Sequence, residues 1–211
     1  MSSRPDEPIL VVASRNSGKV RELRDLLAAL PLRVVSLSDL PCAPELDEPY
    51  DDFLANAAAK ATGAARAIGH LALADDSGLV VPALGGAPGV RSSRVAGSDP
   101  ERIAWLLAEM RELTGEQRSA HFICVAVLAD PAGNRLGTWA GRVEGVILAA
   151  PQGSGGFGYD PVFWYPPAQM TFAQMTARQK NEVSHRGRAL RACAQDLPAL
   201  LARLREREPT R

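Results

Sequence analysis

Residues 120–147 read AHFICVAVLADPAGNRLGTWAGRVEGVI. Residues 120–129 and 136–147 are long runs with strand-favouring composition, and Asp130-Pro131-Ala132-Gly133-Asn134 between them is made of turn-forming types. Two long strands around a short turn form a hairpin, and a sheet that contains one is not purely parallel. Towards the N-terminus, strands and helices alternate. Residues 9–13 are a short apolar run, a buried strand. Residues 14–18 are a loop, and residues 19–30 a helix with Val20, Leu23, Leu27 and Leu30 on one face. Residues 33–37 fit a second strand. The Pro-rich, acidic stretch 41–51 is a loop. Asp51 or Asp52 caps an Ala-rich helix over 53–68, which Gly69 stops. Residues 71–74 are a strand with Asp75-Asp76-Ser77-Gly78 at its end, and 79–81 resume an extended path.

In the C-terminal direction, Asp99-Pro100-Glu101 starts a helix reaching about residue 113. Residues 151–167 are rich in Gly, Pro and aromatics. Thr176 and Ser184 are caps, the last opening a helix over 185–204. The expected fold is α/β, a mixed β-sheet with flanking helices. One domain spans 9–205, between a disordered tail at 1–8 and a C-terminal tail at 206–211.

The chain has 211 residues, 46% apolar and 23% charged, ordinary for a globular protein. Its 24 basic and 24 acidic residues balance, which disfavours binding to a nucleic-acid polymer. No apolar run approaches the ~18 residues of a membrane span. Residues 1–8 are too polar for a signal peptide. Cys42, Cys124 and Cys193 are odd in number and far apart, so a reducing cytoplasm is expected. Only three lysines, Lys19, Lys60 and Lys180, stand among 21 arginines. A compact ammonium differs from a planar guanidinium where one phosphate oxygen must be met in a tight space.

Four segments carry candidate chemistry. Ser14-Arg15-Asn16-Ser17-Gly18-Lys19 lies between a strand and a helix, where backbone N–H groups and the helix N-terminus face an anion. Ala13 and Val20 exclude a Walker A loop. An ordinary βα turn with a surface lysine has the same composition. Asp75-Asp76-Ser77 brings two carboxylates to a strand end, donors that suit magnesium and, in Asp76, a base for an attacking water; a polar turn looks similar. In Gly153-Ser154-Gly155-Gly156-Phe157-Gly158-Tyr159-Asp160, glycines admit a ligand to the backbone, Phe157 and Tyr159 offer stacking faces, and Asp160 can accept from a ring N–H. Lys180, His185 and Arg186 place cations near a helix start, which an anionic or carbonyl-bearing ligand would offset; a solvated helix end is the plain alternative. Glu48, in the acidic loop, reads from spacing alone as a solvated charge.

The motifs SRNSGKVREL, ADDSGL, GGAPGVRSSR, GSGGFGYDPVF and SHRGRAL occur in order over nearly the whole chain. Together they resemble the family of inosine triphosphate pyrophosphatases, the XTP/dITP diphosphatases. The resemblance implies an elongated sheet, two lobes enclosing a central substrate cleft, a homodimer and a Mg2+ cofactor. It implies hydrolysis of ITP, dITP and XTP to monophosphate and pyrophosphate, a sanitation of the nucleotide pool. By matching positions it implies triphosphate contacts from Ser14, Asn16, Lys19 and Lys60, with Arg15, Ser17 and Gly18 in the same loop. Glu48 and Asp75 or Asp76 match metal ligands, and Asp76 the general base. Ser77 lies beside the substrate. Phe157, Gly158, Tyr159, Asp160, Lys180, His185 and Arg186 match the nucleobase pocket. Ala55, Val80, Pro82 and Arg91 depart from the family's usual residues. Two alternatives are a nucleotide sensor without turnover, in which Asp76 would be silent, and a pyrophosphatase of other modified nucleotides, which a substrate panel separates.

Overall fold

The computed structural model describes residues 8–28, 30–40 and 43–207. The order of elements is β1 (Ile9–Val12), α1 (Ser17–Leu27), β2 (Arg33–Ser36), α2 (Phe53–Ile68), β3 (Leu71–Val80), α3 (Asp99–Glu109), β4 (Ser119–Ala129), β5 (Arg135–Ile147), β6 (Phe163–Tyr165), β7 (Met170–Thr171), α4 (Ala177–Val183) and α5 (His185–Arg207). The strands form a seven-stranded sheet in the order β2-β1-β3-β4-β5-β6-β7. Parallel pairing joins β1 to β2 and to β3, with Val12 opposite both Ser36 and Leu73. Antiparallel pairing joins β5 to β6 and β6 to β7, with Trp164 opposite Val146 and Thr171. The sheet is therefore mixed, as the hairpin over 120–147 required. Its turn closes through Asp130, whose amide donates to the Asn134 carbonyl at 2.9 Å and whose carboxylate accepts the Asn134 amide at 2.8 Å.

Several boundaries move, each for a local reason. Helix α1 starts at Ser17 rather than Lys19, because the Asn16 side chain accepts the Lys19 amide and caps it. Helix α3 stops at Glu109; Ser98 and Glu101 form a capping box at its start. Helix α5 continues to Arg207, through residues expected in the tail. Strands β6 and β7 lie in and just after the Gly-, Pro- and aromatic-rich stretch 151–167, too short and too close to prolines to show a period. Residues 1–7, 208–211 and Cys42 lie outside the described residues. The largest correction is in β3. The run does not end at Ala74 but continues to Val80, so Asp75 and Asp76 sit mid-strand. Within a strand successive side chains leave on opposite faces, and no turn gathers the two carboxylates.

The chain divides into two compact units: Met1–Asp75, Val125–Trp139 and Ala189–Arg211 in the first, Asp76–Cys124 and Ala140–Arg188 in the second. The first has two apolar clusters. In one, Leu23 and Leu27 of α1 join Leu10, Val12, Leu73, Leu128 and, from α5, Leu190, Cys193 and Leu197. In the other, Ala57, Ala61, Ala64 and Ala65 of α2 meet Ala13, Ala72, Ala74 and Val127, small residues that admit a close helix–sheet approach. The Trp139 indole N–H donates to Asp196 at 2.7 Å, tying β5 to α5. Burial and the nearby Asp196 charge push the Cys193 thiol up to about 12, so it is an inert core residue. Among the described residues no helix is long and apolar enough to cross a membrane.

The second unit packs Leu79, Leu106, Met110, Phe122, Val143, Phe163 and Phe172. Gly78 decides one approach within it. A Cβ there would stand 2.2 Å from the Gly89 carbonyl oxygen and 2.7 Å from Ser92 Oγ. That hydroxyl accepts the Leu79 amide at 2.8 Å and donates to the Gly89 carbonyl at 2.6 Å. Gly78→Ala must push this turn off β3, and is expected to cost roughly 1–3 kcal/mol in urea unfolding.

His121, on β4, supplies a pH dependence. Burial first, then the Arg142 guanidinium, hold its imidazole below the ordinary value, against an opposing pull from Glu144. The fold favours the neutral ring, so the unfolded chain binds more protons. The stability that His121 contributes is complete above about pH 6.5 and is lost as pH falls through the lowered folded value. His121→Gln is expected to flatten that part of the slope in urea titrations between about pH 7.5 and 5.

Candidate active site

In the first unit, four charged side chains gather in two linked pairs. The loop after β1 is shaped by its own hydroxyl and amide side chains: Ser14 Oγ accepts the Asn16 amide at 3.2 Å, and Asn16 Oδ1 accepts the Lys19 amide at 3.1 Å. These bonds set Lys19 in the first turn of α1. Its ammonium lies 3.1 Å from Asp75 Oδ2, whose side chain is only 1% exposed. Lys60, from the middle of α2, pairs with the Glu48 carboxylate and donates to the Asp75 backbone carbonyl at 2.8 Å. Arg15 and Ser17 are exposed, and Arg15 reaches the Pro44 carbonyl at 3.4 Å. Gly18 is buried.

Glu48 is held there by a residue to which the sequence reading gave no role. Asn56 is fully buried in α2, and its amide accepts from the Tyr50 N–H at 2.9 Å and donates to the Tyr50 carbonyl at 2.8 Å. This clamp fixes the acidic loop two residues past Glu48. Its signal was an amide residue in an alanine-rich helix, four positions before Lys60 and so on the same face.

In the second unit, Asp76 is 3% exposed and its Oδ1 accepts the Ser77 amide at 3.0 Å. Arg186 donates to Ser77 Oγ at 3.3 Å. A buried ion pair joins Lys180 to Asp160 at 2.6 Å, and the same Asp160 oxygen accepts the Phe157 amide at 2.9 Å. Gly156 has φ of +71°, and a Cβ there would meet that carboxylate at 2.1 Å, so the close turn requires glycine. The Lys180 ammonium stands 4.4 Å from the Phe157 ring centre and the Arg186 guanidinium 5.6 Å from it. His185 stacks on Phe122 with centroids 4.6 Å apart and planes 10° from parallel.

Tyr159 departs from its expected part. Its ring is 3% exposed within the core cluster, and its hydroxyl donates to the Ser92 carbonyl at 2.9 Å. Burial pushes that hydroxyl far above the ordinary phenol range. It anchors the glycine-rich loop and presents no free face for stacking. Phe157 is half-buried, with both Lys180 and Arg186 close to its ring.

The family model described as the Ham1 family matches residues 10–196. The chain belongs to the Ham1 family. Among curated relatives, the dITP/XTP pyrophosphatase of Thermosynechococcus vestitus is 51% identical over 87% of this Ham1 chain and 93% of its own length. That of Symbiobacterium thermophilum is 48% identical over 91% and 96%. Among solved structures, a HAM1 protein from Coxiella burnetii superposes with a TM-score of 0.82 at 38% identity, covering 91% of this chain and 99% of that one. A nucleoside-triphosphatase, dITP/XTP pyrophosphatase, from Mycobacterium abscessus gives 0.70 at 40% identity over 88% and 98%. The membership and the mixed α/β fold expected from the motifs therefore hold for this Ham1 chain.

Proposed function

We propose that this chain hydrolyses the triphosphates of non-standard purine nucleosides, dITP, XTP and ITP, to the monophosphate and pyrophosphate, and so clears the nucleotide pool. The names and extent of its relatives support the reaction. One observation carries it to these residues. The three lysines, set among 21 arginines, are each paired to a carboxylate at an expected site position: Asp75, Glu48 and Asp160.

The two ends of such a substrate call on different residues. Lys19, Lys60 and the amides at the start of α1 suit the polyphosphate. Asp76 suits the proton of a water that attacks the α-phosphorus. The new bond joins water oxygen to phosphorus, the bond to the bridging oxygen breaks, and pyrophosphate leaves with the electron pair. At the base, the N–H donors of Lys180, His185 and Arg186 suit a 6-keto acceptor. The 6-amino group of adenine would leave a buried donor unpaired, a large penalty.

We extend the proposal to magnesium. Among the described residues no three His, Cys, Asp or Glu side chains form a ready-made metal cage. Magnesium needs only one or two protein carboxylates beside water and phosphates, and Glu48 with either Asp75 or Asp76 would offer them. The ammonium of Lys60 already lies between the Glu48 carboxylate and the Asp75 carbonyl, so that ground favours a cation. When bound, the metal would supply charge neutralisation at the phosphates. The resemblance alone supports a homodimer and a cytoplasmic location; light scattering tests the first.

The deciding experiment mixes the protein and magnesium with ITP, XTP, dITP, ATP, GTP and dUTP separately, and resolves the products. Monophosphate and pyrophosphate from the first three, with ATP and GTP nearly untouched, is the expected result. A nucleoside diphosphate and orthophosphate would place attack at the γ-phosphorus and overturn the proposal. Bound nucleotide without turnover would favour a sensor.

A further inference from the structure

We infer that Asp99 is a positioning residue for base selection, acting on the glycine-rich loop from the start of α3. The inference rests on the reading of that loop as the base site. Asp99 Oδ2 accepts the Gly158 amide at 2.7 Å, across 59 positions of sequence. Its other oxygen accepts from Arg102 at 2.6 Å, and Arg102 in turn donates to the Ala96 carbonyl at 3.1 Å. The carboxylate is thus fixed from one side by its own helix and spends its free oxygen on the loop. A carboxylate in the first turn of a helix is also favoured by the helix dipole.

What it holds is the hinge of the loop. Gly158 has φ of +63° and joins Phe157 to Tyr159. Tyr159 is pinned to Ser92, and Phe157 is pinned by its amide to Asp160. Between these pins the Gly158 peptide sets where the Phe157 ring lies relative to Lys180 and Arg186. Among the described residues Asp99 bonds to the Gly158 amide and to Arg102, and not to those cations, the polyphosphate loop or Asp76. Releasing it therefore displaces base recognition and leaves the phosphate chemistry in place.

The test compares the full chain with Asp99→Ala and Asp99→Asn. A hydrogen bond to a charged group is lost in the first, so KM for ITP is expected to rise about tenfold with kcat little changed. The preference for ITP over ATP falls by a similar factor. Binding of inorganic tripolyphosphate stays the same. Asp99→Asn retains one acceptor oxygen and lies between the two. Amide hydrogen exchange at Gly158, measured without nucleotide, accelerates in the Ala variant. Unchanged ITP preference together with unchanged exchange overturns the inference. So does a parallel loss of kcat and tripolyphosphate binding, which marks a general structural role. If the native chain hydrolyses no purine triphosphate, the functional reading fails, and the exchange measurement still decides whether Asp99 holds the loop.

Discussion

Asp76→Asn is expected to slow ITP hydrolysis by roughly 10²- to 10⁴-fold, the usual worth of a positioned general base, while the nucleotide still binds. The change is isosteric. Asp76 is buried in mid-strand, and its Oδ1 accepts the Ser77 amide, a bond that an Asn side-chain oxygen also accepts. Local structure is therefore retained and the anionic proton acceptor removed. Initial rates give the first quantity and calorimetric titration with ITP the second. A rate within about tenfold of native would assign the proton to another group. Loss of binding with loss of rate would give Asp76 a mainly ligating part.

Asp160→Ala has the largest expected effect on stability. Lys180 is 5% exposed and paired to that carboxylate at 2.6 Å. Removing one member of a buried pair leaves an uncompensated ammonium, at a cost of about 3–5 kcal/mol. The Phe157 amide loses its acceptor in the same step. For a chain of this size the midpoint of thermal unfolding should fall by roughly 6–20 °C. The double variant Asp160→Ala/Lys180→Met removes the stranded charge and should recover part of the loss. A single variant as stable as the native chain would show that water reaches Lys180 freely.

The sequence was informative where local signals and tertiary demands agreed. The hairpin, β1, the loop that follows it and the Asp52 cap of α2 all stand where their residue types place them. All three lysines stand beside carboxylates, a pairing that their scarcity among the arginines did not foretell. Three things were not legible. Asp-Asp-Ser-Gly has turn composition, yet it continues β3, because both faces of that strand are covered and neighbouring strands complete its hydrogen bonds. Tyr159 looked like a stacking ring, and only the fold shows Ser92 beneath its hydroxyl. Asp99 looked like any helix-start aspartate, and its partner Gly158 lies far along the chain. Contacts of that separation leave no local period to read.

The paired lysines have a practical consequence for chemical labelling. Acylating reagents need a neutral, accessible amine. Here Lys19, Lys60 and Lys180 are ammonium groups held by carboxylates, with side chains 16%, 8% and 6% exposed. Arginine does not react with such reagents. These three amines are thus slow to react in the folded protein, whereas an unfolded molecule exposes all three at once. The mass added in a brief pulse of acylation would count unfolded chains directly, with no dye and no engineered reporter.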